Sequence, residues 1–589
     1  MHAPRPLVVA LVLFTALGNA RAASIARVDV RGLDEPMTAN VRNSLSLVDS
    51  IGRDVSGRRL RSLVRQAEGE TRSALEPFGY YSPAIDVRSA PAAGKDAVAV
   101  TVTVRAGTPV RVRHAHVAVE GEGKSDSALR DELAGFAPGV GAVFDQGVYE
   151  ASKTRVGVRL AARGYFDADF ASHVVQVTRA QNAADVDLVW NSGVRYAIGT
   201  ATFTQTPPII RNALLNKLVR WKPGAPYQQG DIERLRQSLV ALDYFSRINI
   251  QPHPDQAVDR RVPVTVALAP AKRSIYTAGI SYGTDSGGGV ILGAERRYLN
   301  ARGHKALAEL NYAQRRKTLT LQYRIPAFAW LDGWYTASLQ AADEQTDYID
   351  TRRIEFVASR SGQVNTHLTA IASLHVLRER WAYPAQQLPG APSQYQYGTF
   401  TFPSLRAEYI DVDDRLYPRR GIGGALEVRG GVEGAGSDAS FAQVHGNASW
   451  FKGLGADNRL ILRGELGHTF TDTVVNLPPS LRFYAGGDRS IRGYNYREVG
   501  PRLGRFGLGA DNVITTSAEF EHYFTAQWGG AVFVDSGSAF NGRTPDWHTG
   551  VGLGVRWRSP VGPVRVDIGH GLDHPDSAFT LSLNIGADL

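Results

Sequence analysis

The sequence predicts an exported protein in two parts, with three α+β modules preceding a transmembrane β-barrel of about 16 antiparallel strands. Three observations lead to this fold class. The N-terminal residues have the form of a secretory signal, residues 23–271 contain one pattern three times, and the residues after Ala271 alternate between apolar and polar side chains. After the N-terminal segment no run of about 18 apolar residues occurs, so membrane-spanning helices are not predicted.

The composition excludes several classes of protein. The chain has 589 residues and no cysteine, which removes thiol nucleophiles, disulfides and cysteine-ligated metals. Its 43% hydrophobic and 21% charged residues exclude general disorder. The net charge of +9 would suit a nucleic-acid-binding protein, but no basic block with interleaved aromatic residues occurs. We therefore expect no nucleic-acid partner.

Residues 1–22 are expected to be a signal peptide. Arg5 supplies a positive start, Leu7–Gly18 is a short apolar stretch, and Ala20-Arg21-Ala22 has the small-x-small pattern of a cleavage site. The alternative is a membrane anchor, but about twelve apolar residues are too few to span a bilayer. Export is therefore expected, with a mature chain that starts near Ala23.

A pair of aromatic residues marks the repeated unit of residues 23–271. The pair follows a helix-like run in each copy, and successive pairs lie 85 and 79 positions apart: Tyr80-Tyr81, Tyr165-Phe166 and Tyr244-Phe245. Each copy has the pattern strand–helix–helix–strand–strand, which predicts three modules, at residues 23–106, 107–192 and 193–271. We expect each aromatic pair to end the second helix and to anchor it on the sheet as part of the core.

The 318 residues after Ala271 predict the barrel, residues 272–589. Leu319–Arg324, Leu460–Leu466 and Val564–Ile568 alternate apolar with polar residues, and charges of both signs occupy the polar positions. That pattern is typical of a barrel with lipid outside and a hydrated lumen. A soluble antiparallel β domain, with its polar face in water, is the alternative. At about 20 residues per strand and connection, the length predicts about 16 strands.

The most specific pattern is Phe-Tyr-Ala-Gly-Gly-Asp-Arg-Ser-Ile-Arg-Gly-Tyr at residues 483–494. It resembles the lid-loop signature of the outer-membrane assembly-factor superfamily, whose periplasmic repeats are called POTRA domains. The tripeptide Arg-Gly-Tyr alone is not specific, since it recurs at Arg163–Tyr165. Asp413–Gly421 resembles the strand-turn motif of the same superfamily, and Phe533–Gly537 resembles its late-strand motif. The resemblance covers essentially the whole mature chain.

The resemblance implies that this loop enters the barrel lumen and that Arg492 anchors it to acidic groups on the inner wall. Glu519 and Asp535 match the positions of those groups. Gly493 would permit a tight turn, and Tyr494 would pack beside the arginine. Arginine suits such an anchor because it stays charged and its fork can bond two carboxylates. The alternative is that Arg492 is a solvated loop charge.

Three modules resemble the branch of the superfamily that forms translocation and assembly modules. The resemblance implies a bacterial outer-membrane location, with the modules in the periplasm. It also implies an insertase for nascent β-barrel clients such as autotransporters, in contact with outer-membrane lipid. The implied partner is a TamB-like inner-membrane-anchored periplasmic protein that docks mainly on the first module. The insertion site would be a lateral seam between a first strand near Ser274–Gly283 and a last strand near Phe579–Gly586.

Two other functions remain open at this point: a two-partner-type secretion exporter that threads an unfolded substrate through the lumen, and a passive porin-like channel. No enzyme, cofactor or metal site is predicted. Asp285–Gly288 lacks the histidine motif of a trypsin-like protease and sits in a turn. Gly550–Gly554 lacks the strand–turn–helix context of a dinucleotide site. The sequence around His570, Asp573 and His574 predicts a polar loop before the last strand.

Overall fold

A computed structural model describes the protein over residues 22–93, 97–283, 287–328, 332–345, 349–383, 394–503, 506–559 and 562–585. The predicted signal peptide lies outside these residues except for Ala22, and it stays a prediction. No helix in the described ranges is long and apolar enough to cross a membrane. The chain divides into two compact units. The first consists of Met1–Thr200, Trp221–Ile232 and Pro252–Val264. The second consists of Ala201–Arg220, Glu233–Gln251 and Thr265–Leu589.

The first module is a sheet of order β2-β1-β4-β3 with two helices. Its elements are β1 (Ala22–Arg31), α1 (Glu35–Ser44), β2 (Asp54–Ser56), α2 (Gly57–Leu75), β3 (Ala84–Pro91) and β4 (Ala97–Arg105). Asp34 begins α1 by accepting a hydrogen bond from the Met37 backbone N–H, and Ser56 caps α2 in the same way. The helices pack on the sheet because β1 and β4 are parallel and require a crossover between them.

The second and third modules repeat this architecture with three strands each. The second consists of β5 (Arg111–Glu120), α3 (Ser127–Ala134), α4 (Gln146–Ala162), β6 (Asp169–Thr178) and β7 (Ala183–Asn191), in sheet order β5-β7-β6. The third consists of β8 (Ala197–Gln205), α5 (Asn212–Leu215), α6 (Gln229–Ala241), β9 (Phe245–Pro252) and β10 (Arg261–Pro270), in sheet order β8-β10-β9. The predicted α+β modules are confirmed, and the first carries β2 in addition to the expected pattern.

The aromatic pairs lie at sharp corners after the second helix of each module. Besides packing in the core, the first two corners form hydrogen bonds with the segment that follows the module. In the first corner, residues 79–81, Gly79 has φ +87° and its carbonyl accepts a hydrogen bond of 2.8 Å from Val110 at the start of the second module. In the second corner, residues 164–166, Gly164 has φ +89° and its carbonyl accepts one of 2.8 Å from Tyr196. Each corner therefore joins its own module to the segment that follows.

Gly164→Ala is expected to destabilise the second corner by about 1–3 kcal/mol. A Cβ atom at this position would meet the Tyr227 Cβ at 2.8 Å and the Tyr196 carbonyl at 3.1 Å, on a backbone with φ +89°. We expect a lower unfolding midpoint for the periplasmic modules, measured by circular dichroism during thermal unfolding.

Gly157→Ala is the matched control for that change, since it lies inside α4 and a Cβ there meets nothing within 4 Å. Alanine at this position should be neutral or slightly stabilising. Equal midpoints for the two variants would contradict the role assigned to the corner.

Sixteen of the remaining strands in the described chain form one antiparallel sheet, which confirms the predicted barrel. Its order follows the chain from β11 to β28, with β22 and β23 forming a separate hairpin inside the loop between β21 and β24. The strands are β11 (Ser274–Gly283), β12 (Gly287–Arg296), β13 (Lys305–Ala313), β14 (Arg316–Pro326), β15 (Asp332–Gln345), β16 (Asp350–Gln363), β17 (Leu368–Ala382), β18 (Gln396–Val412), β19 (Arg420–Gly431), β20 (Phe441–Leu454), β21 (Asn458–Phe470), β22 (Arg502–Leu503), β23 (Phe506–Gly507), β24 (Asn512–Tyr523), β25 (Trp528–Phe540), β26 (His548–Ser559), β27 (Gly562–Gly571) and β28 (Thr580–Ile585).

The outer face of the barrel is an apolar surface. Leu321, Leu339 and Phe356 are cross-strand neighbours on β14, β15 and β16, and each is more than 40% exposed. Exposed apolar residues that continue from strand to strand are typical of a surface that faces lipid, whereas soluble monomers rarely expose a large apolar patch. The alternative of a soluble β domain is therefore set aside.

The sheet has two edge strands, β11 and β28. β11 has ten residues and β28 has six, and no ladder joins them among the residues that the structure describes. The consecutive residues Tyr276–Ile280 of β11 are all exposed, although successive residues of a strand point to opposite faces. Neither face of this part of β11 is covered, and in the described chain no strand pairs with the edge of β11 that lies away from β12.

Candidate functional site

The segment between β21 and β24 folds back against the inside of the barrel. Residues 483–500, hereafter the lid loop, contribute Phe483, Ile491, Tyr494 and Val499 to a buried apolar cluster. Val513 of β24 and Ala539 of β25 belong to the same cluster. The apolar residues of the lid loop thus hold it against two neighbouring barrel strands and place Arg492 beside the wall.

Arg492 is the centre of the candidate site. Its Nε and Nη2 atoms lie 2.7 and 2.9 Å from the two carboxylate oxygens of Asp535, a bidentate pair. Its backbone N–H also donates to Asp535 Oδ2 at 3.0 Å, and its Nη1 donates to Glu519 Oε2 at 2.7 Å. The guanidinium carbon lies 3.5 Å from the centroid of the Phe533 ring, and the whole residue is only 4% exposed. The alternative of a solvated loop charge does not fit this burial.

The carboxylates that face Arg492 belong to the inner wall. Glu519 lies on β24 and Asp535 on β25, and both are at most 1% exposed. Their neighbours Phe520 and Val534 are exposed on the outer face, as the two-residue period of a strand requires. The structure thus brings Arg492 together with the two acidic residues that the sequence resemblance named.

Gly493 and Tyr494 lie where the lid loop touches the last strands. Gly493 has φ +100°, and its N–H donates to Thr580 Oγ1 of β28 at 3.0 Å. The Tyr494 hydroxyl donates to the Thr549 carbonyl at 3.2 Å and accepts from the Asp573 backbone N–H at 2.9 Å. The three predicted anchor residues therefore contact β25, β26 and the β27–β28 hairpin.

Two glycines of β26 and β27 leave room for the loop backbone. A Cβ atom at Gly550 would lie 1.8 Å from the Arg492 carbonyl oxygen, and one at Gly569 would lie 2.6 Å from the Gly493 nitrogen. Neither contact could be relieved by rotating a side chain, since both neighbours are backbone atoms. Gly550 and Gly569 therefore allow the backbone of the lid loop to lie directly against β26 and β27.

Arg492 belongs to a larger set of buried charges that the sequence alone did not reveal. Arg556 of β26 bonds Glu519 Oε1 at 2.7 Å, Asp567 Oδ1 at 2.6 Å and Glu521 Oε1 at 3.0 Å. Four guanidinium groups face four carboxylates, and we call these residues the charge network: Arg459, Arg463, Arg492, Arg556, Glu519, Glu521, Asp535 and Asp567.

Direct pairing with arginines explains how the carboxylates of the charge network can be buried. A carboxylate removed from water is costly unless it is paired and hydrogen-bonded. Glu519 and Glu521 are fully buried, and each accepts bonds from at least two arginines. Removing one partner from such a set typically costs about 3–5 kcal/mol, because a charge is left without compensation.

All three sequence motifs of the resemblance meet at this network. The motif at Asp413–Gly421 supplies Tyr417, whose ring centroid lies 3.9 Å from the guanidinium carbon of Arg459, and Pro418, whose carbonyl accepts from Arg459 Nη1 at 2.7 Å. The motif at Phe533–Gly537 supplies Phe533 and Asp535, and the lid loop supplies Arg492. Segments far apart in sequence therefore build one site. Within the described ranges, no group of three or more histidine or acidic residues is arranged to hold a metal ion.

This arrangement defines a class of protein: an outer-membrane β-barrel with a lid loop anchored in its lumen and POTRA-type modules on its N-terminal side. A family model for the Omp85 superfamily domain matches residues 299–588, one for the first POTRA domain of TamA matches residues 27–104, and a POTRA model (surface antigen variable number repeat) matches residues 112–191. The chain belongs to the Omp85 superfamily and carries TamA-type POTRA domains. It is an outer-membrane protein with its N-terminal modules in the periplasm.

Individual relatives are more distant. The outer membrane protein assembly factor BamA of Nitratidesulfovibrio vulgaris is 36% identical over 107 residues, which is 17% of this chain and 14% of that protein. The BamA of Neisseria meningitidis serogroup B is 22% identical over 385 residues, 60% of this chain and 48% of that protein. The chain thus spans about half the length, or less, of these relatives.

A solved structure shares the fold. The crystal structure of BamA from Haemophilus ducreyi lacking POTRA domains 1–3 superposes with a TM-score of 0.62 at 15% identity, covering 80% of this chain and 100% of that one.

Proposed function

We propose that this protein is an outer-membrane assembly factor that inserts β-barrel clients, such as autotransporters, through a seam between β11 and β28. The observation that carries the proposal is that β11 and β28 are the two edge strands of the sheet, with no ladder joining them in the described chain. An edge strand presents unpaired N–H and C=O groups. An extended client strand can add to it through backbone hydrogen bonds, which give affinity without strict demands on sequence.

The insertion needs no nucleotide in this proposal. A client strand that pairs at the seam satisfies its backbone polar groups before it enters lipid, where unpaired ones cost several kcal/mol each. Transfer of the client's apolar belt into the bilayer then provides the driving force. The role of the protein is to lower the free-energy barrier to client insertion, by presenting an unpaired strand edge within the membrane.

We further propose a TamB-like partner, an inner-membrane-anchored protein that crosses the periplasm and docks on the first module. The match of residues 27–104 to a TamA-type POTRA model supports this assignment. A neighbouring gene for such a partner would favour it. A neighbouring gene for a secreted substrate would instead favour a two-partner-type secretion exporter.

The anchored lid loop argues against a passive porin-like channel. A porin conducts through a permanently open lumen, whereas here a buried charge network fixes a loop against the inner wall. Steady conductance of the wild-type protein in planar bilayers would support the porin, and an occluded lumen would support the insertase.

Locking the seam is expected to slow client insertion at least about tenfold, because the client could no longer pair with a free edge. The native chain has no cysteine, so a disulfide can be placed without interference. A panel should combine Tyr276 or Ile280 of β11 with Leu581 or Leu583 of β28, all of them exposed. The pair that oxidises most completely, hereafter the seam pair, is then assayed for client insertion into proteoliposomes before and after reduction.

A disulfide between Ala278 and Leu292 is the matched control, since these residues are partners in the β11–β12 ladder and leave the seam free. It should not slow insertion. Normal insertion with the seam pair fully oxidised would exclude the lateral seam.

A further inference from the structure

The corner motif occurs three times, and its third copy lies at the barrel instead of at another module. In the third corner, residues 243–245, Asp243 takes the place that Gly79 and Gly164 occupy in the first two. Asp243 keeps the left-handed backbone of those glycines, with φ +54°. Glycine adopts this conformation at lower cost, so the carboxylate calls for an explanation.

The carboxylate of Asp243 binds the turn between β12 and β13, residues 297–304. Its Oδ2 atom lies 2.7 Å from Arg297 Nε, and Nη1 of the same arginine donates to the Lys272 carbonyl at 3.1 Å. Lys272 precedes β11, and the Arg297 backbone N–H donates to the Arg273 carbonyl at 2.9 Å. One arginine therefore connects the third corner with the chain that enters the first seam strand.

Tyr244 binds the same turn from the other side of the corner. The Tyr244 side chain is fully buried, and its hydroxyl donates to the Gly303 carbonyl. Burial raises the pKa of Tyr244, so the hydroxyl stays protonated and remains a donor. A Cβ atom at Gly303 would lie 2.7 Å from this hydroxyl. The turn and the corner are thus complementary in shape as well as in hydrogen bonding.

Lys305, the first residue of β13, completes the contact. It is 7% exposed, and its Nζ atom lies 5.3 Å from the centroid of the Tyr244 ring and 5.5 Å from that of Trp334 in β15. Both distances are within the range of a cation–π interaction, which strengthens when the cation is shielded from water. The cation joins the third corner to two barrel strands.

A second set of polar contacts joins the third module to the beginning of β15. Asp332 bonds Arg220, and its Oδ2 atom accepts from Ser238 Oγ of α6 at 3.3 Å. All these residues belong to the same compact unit as the barrel. The periplasmic ends of β12, β13 and β15 are therefore fixed.

We propose that Asp243, Tyr244, Arg297, Gly303 and Lys305 form a latch that positions β11 at the seam. The β11–β12 ladder starts at Ser274 and Arg296, directly beside Arg297. Holding Arg297 thus fixes the register of Ser274 against Arg296 and the direction in which β11 begins. This inference deepens the proposed function, on which it rests: Asp243 and Tyr244 act as positioning residues for strand exchange.

The test uses Asp243→Gly in the full-length protein that carries the seam pair. Glycine keeps the left-handed backbone, as at Gly79 and Gly164, and removes only the carboxylate. The readout is the rate of disulfide formation at the seam in the absence of any client, measured beside the client insertion rate. We expect oxidation to become about fivefold slower, the effect of losing roughly one hydrogen bond, because β11 is less well positioned. Insertion should slow in parallel.

Two further variants separate positioning from general damage. Asp243→Asn keeps an oxygen that can accept from Arg297 and tolerates the left-handed backbone, so it should restore most of the rate. Tyr244→Phe removes one hydroxyl and retains the ring, and it should slow seam oxidation by itself. The control is Glu233→Gln, which breaks an exposed pair with Arg236 in the same module and should change nothing.

If both Asp243→Gly and Tyr244→Phe formed the seam disulfide at the wild-type rate, the latch would be overturned. This conclusion would hold whatever the client insertion rate of these variants. Equal slowing by Asp243→Asn and Asp243→Gly would also overturn the assigned role of the hydrogen bond from Arg297 to residue 243. Failure of the wild-type protein to insert clients would instead refute the proposed function, while the oxidation rates would still decide on the latch.

Discussion

Arg492→Ala is expected to release the lid loop and to reduce client insertion at least about tenfold, while the 16-stranded barrel still forms. The substitution removes both side-chain donors of Asp535 and leaves that carboxylate buried at 1% exposure. An uncompensated buried charge costs about 3–5 kcal/mol, which the protein can avoid by letting the loop move and water enter. Ion conductance in planar bilayers should rise as insertion falls.

Two variants calibrate this result. Arg489→Ala removes an exposed arginine three residues earlier in the same loop and should leave conductance and insertion unchanged. Arg492→Lys keeps the charge but loses the fork that holds both oxygens of Asp535, so an intermediate effect is expected. Barrel assembly is checked by heat-modifiable migration on gels. If Arg492→Ala inserted clients as well as the wild type, Arg492 would not be an anchor.

Gly550→Ala is expected to produce the same open, impaired barrel with every charge still present. The new Cβ would lie 1.8 Å from the Arg492 carbonyl oxygen, closer than any real contact, so the loop has to leave its place. Either substitution alone already displaces the lid loop. The double variant Arg492→Ala with Gly550→Ala should therefore show the same conductance and the same client insertion as each single variant. Conductance and insertion are measured as before.

Gly464→Ala is the matched control, a glycine of β21 whose added Cβ would approach nothing closer than the Thr515 carbonyl at 3.9 Å. It should behave as the wild type. Closed lumens in both glycine variants would show that close backbone approach does not hold the lid. Additive losses in the double variant would show that Arg492 and Gly550 act on different steps.

Local periodicity was enough to predict the helices and the longer strands of the modules, but not β2. The apolar spacing of Leu60–Leu75 predicts a helix, and the structure has one at Gly57–Leu75. The sequence missed its first turn because Ser56, whose side chain caps the helix, precedes the apolar pattern. The second role of the aromatic corners was also missed, since a contact between modules leaves no periodic signal within either one.

The candidate site was predictable only where a sequence motif carried it. The resemblance named Arg492, Glu519 and Asp535, and the structure places all three in contact. Arg556, Glu521 and Asp567 gave no comparable signal, because each is one polar residue among many in an alternating strand. Their meeting depends on the register of β24, β26 and β27, and a shift of one residue would reverse which side chains face the lumen.

The third corner shows a different kind of signal. Asp243 stands where two equivalent copies have glycine, and that single departure was visible in the sequence. Its meaning was not, because Arg297 is 54 residues away and belongs to the barrel. A break in a repeat therefore indicates a changed environment, but the partner that explains it comes only from the structure.

The charge network also divides the barrel mechanically. It cross-links the wall from β21 to β27 through groups that are almost all buried, so this arc should behave as one stiff plate. The arc that begins at β11 is instead held from its periplasmic end, by the turn at residues 297–304 and by Asp332. A widening of the barrel at its seam would therefore bend the wall outside this plate. The elastic energy stored in that bend would return the two edges toward each other once a client has left.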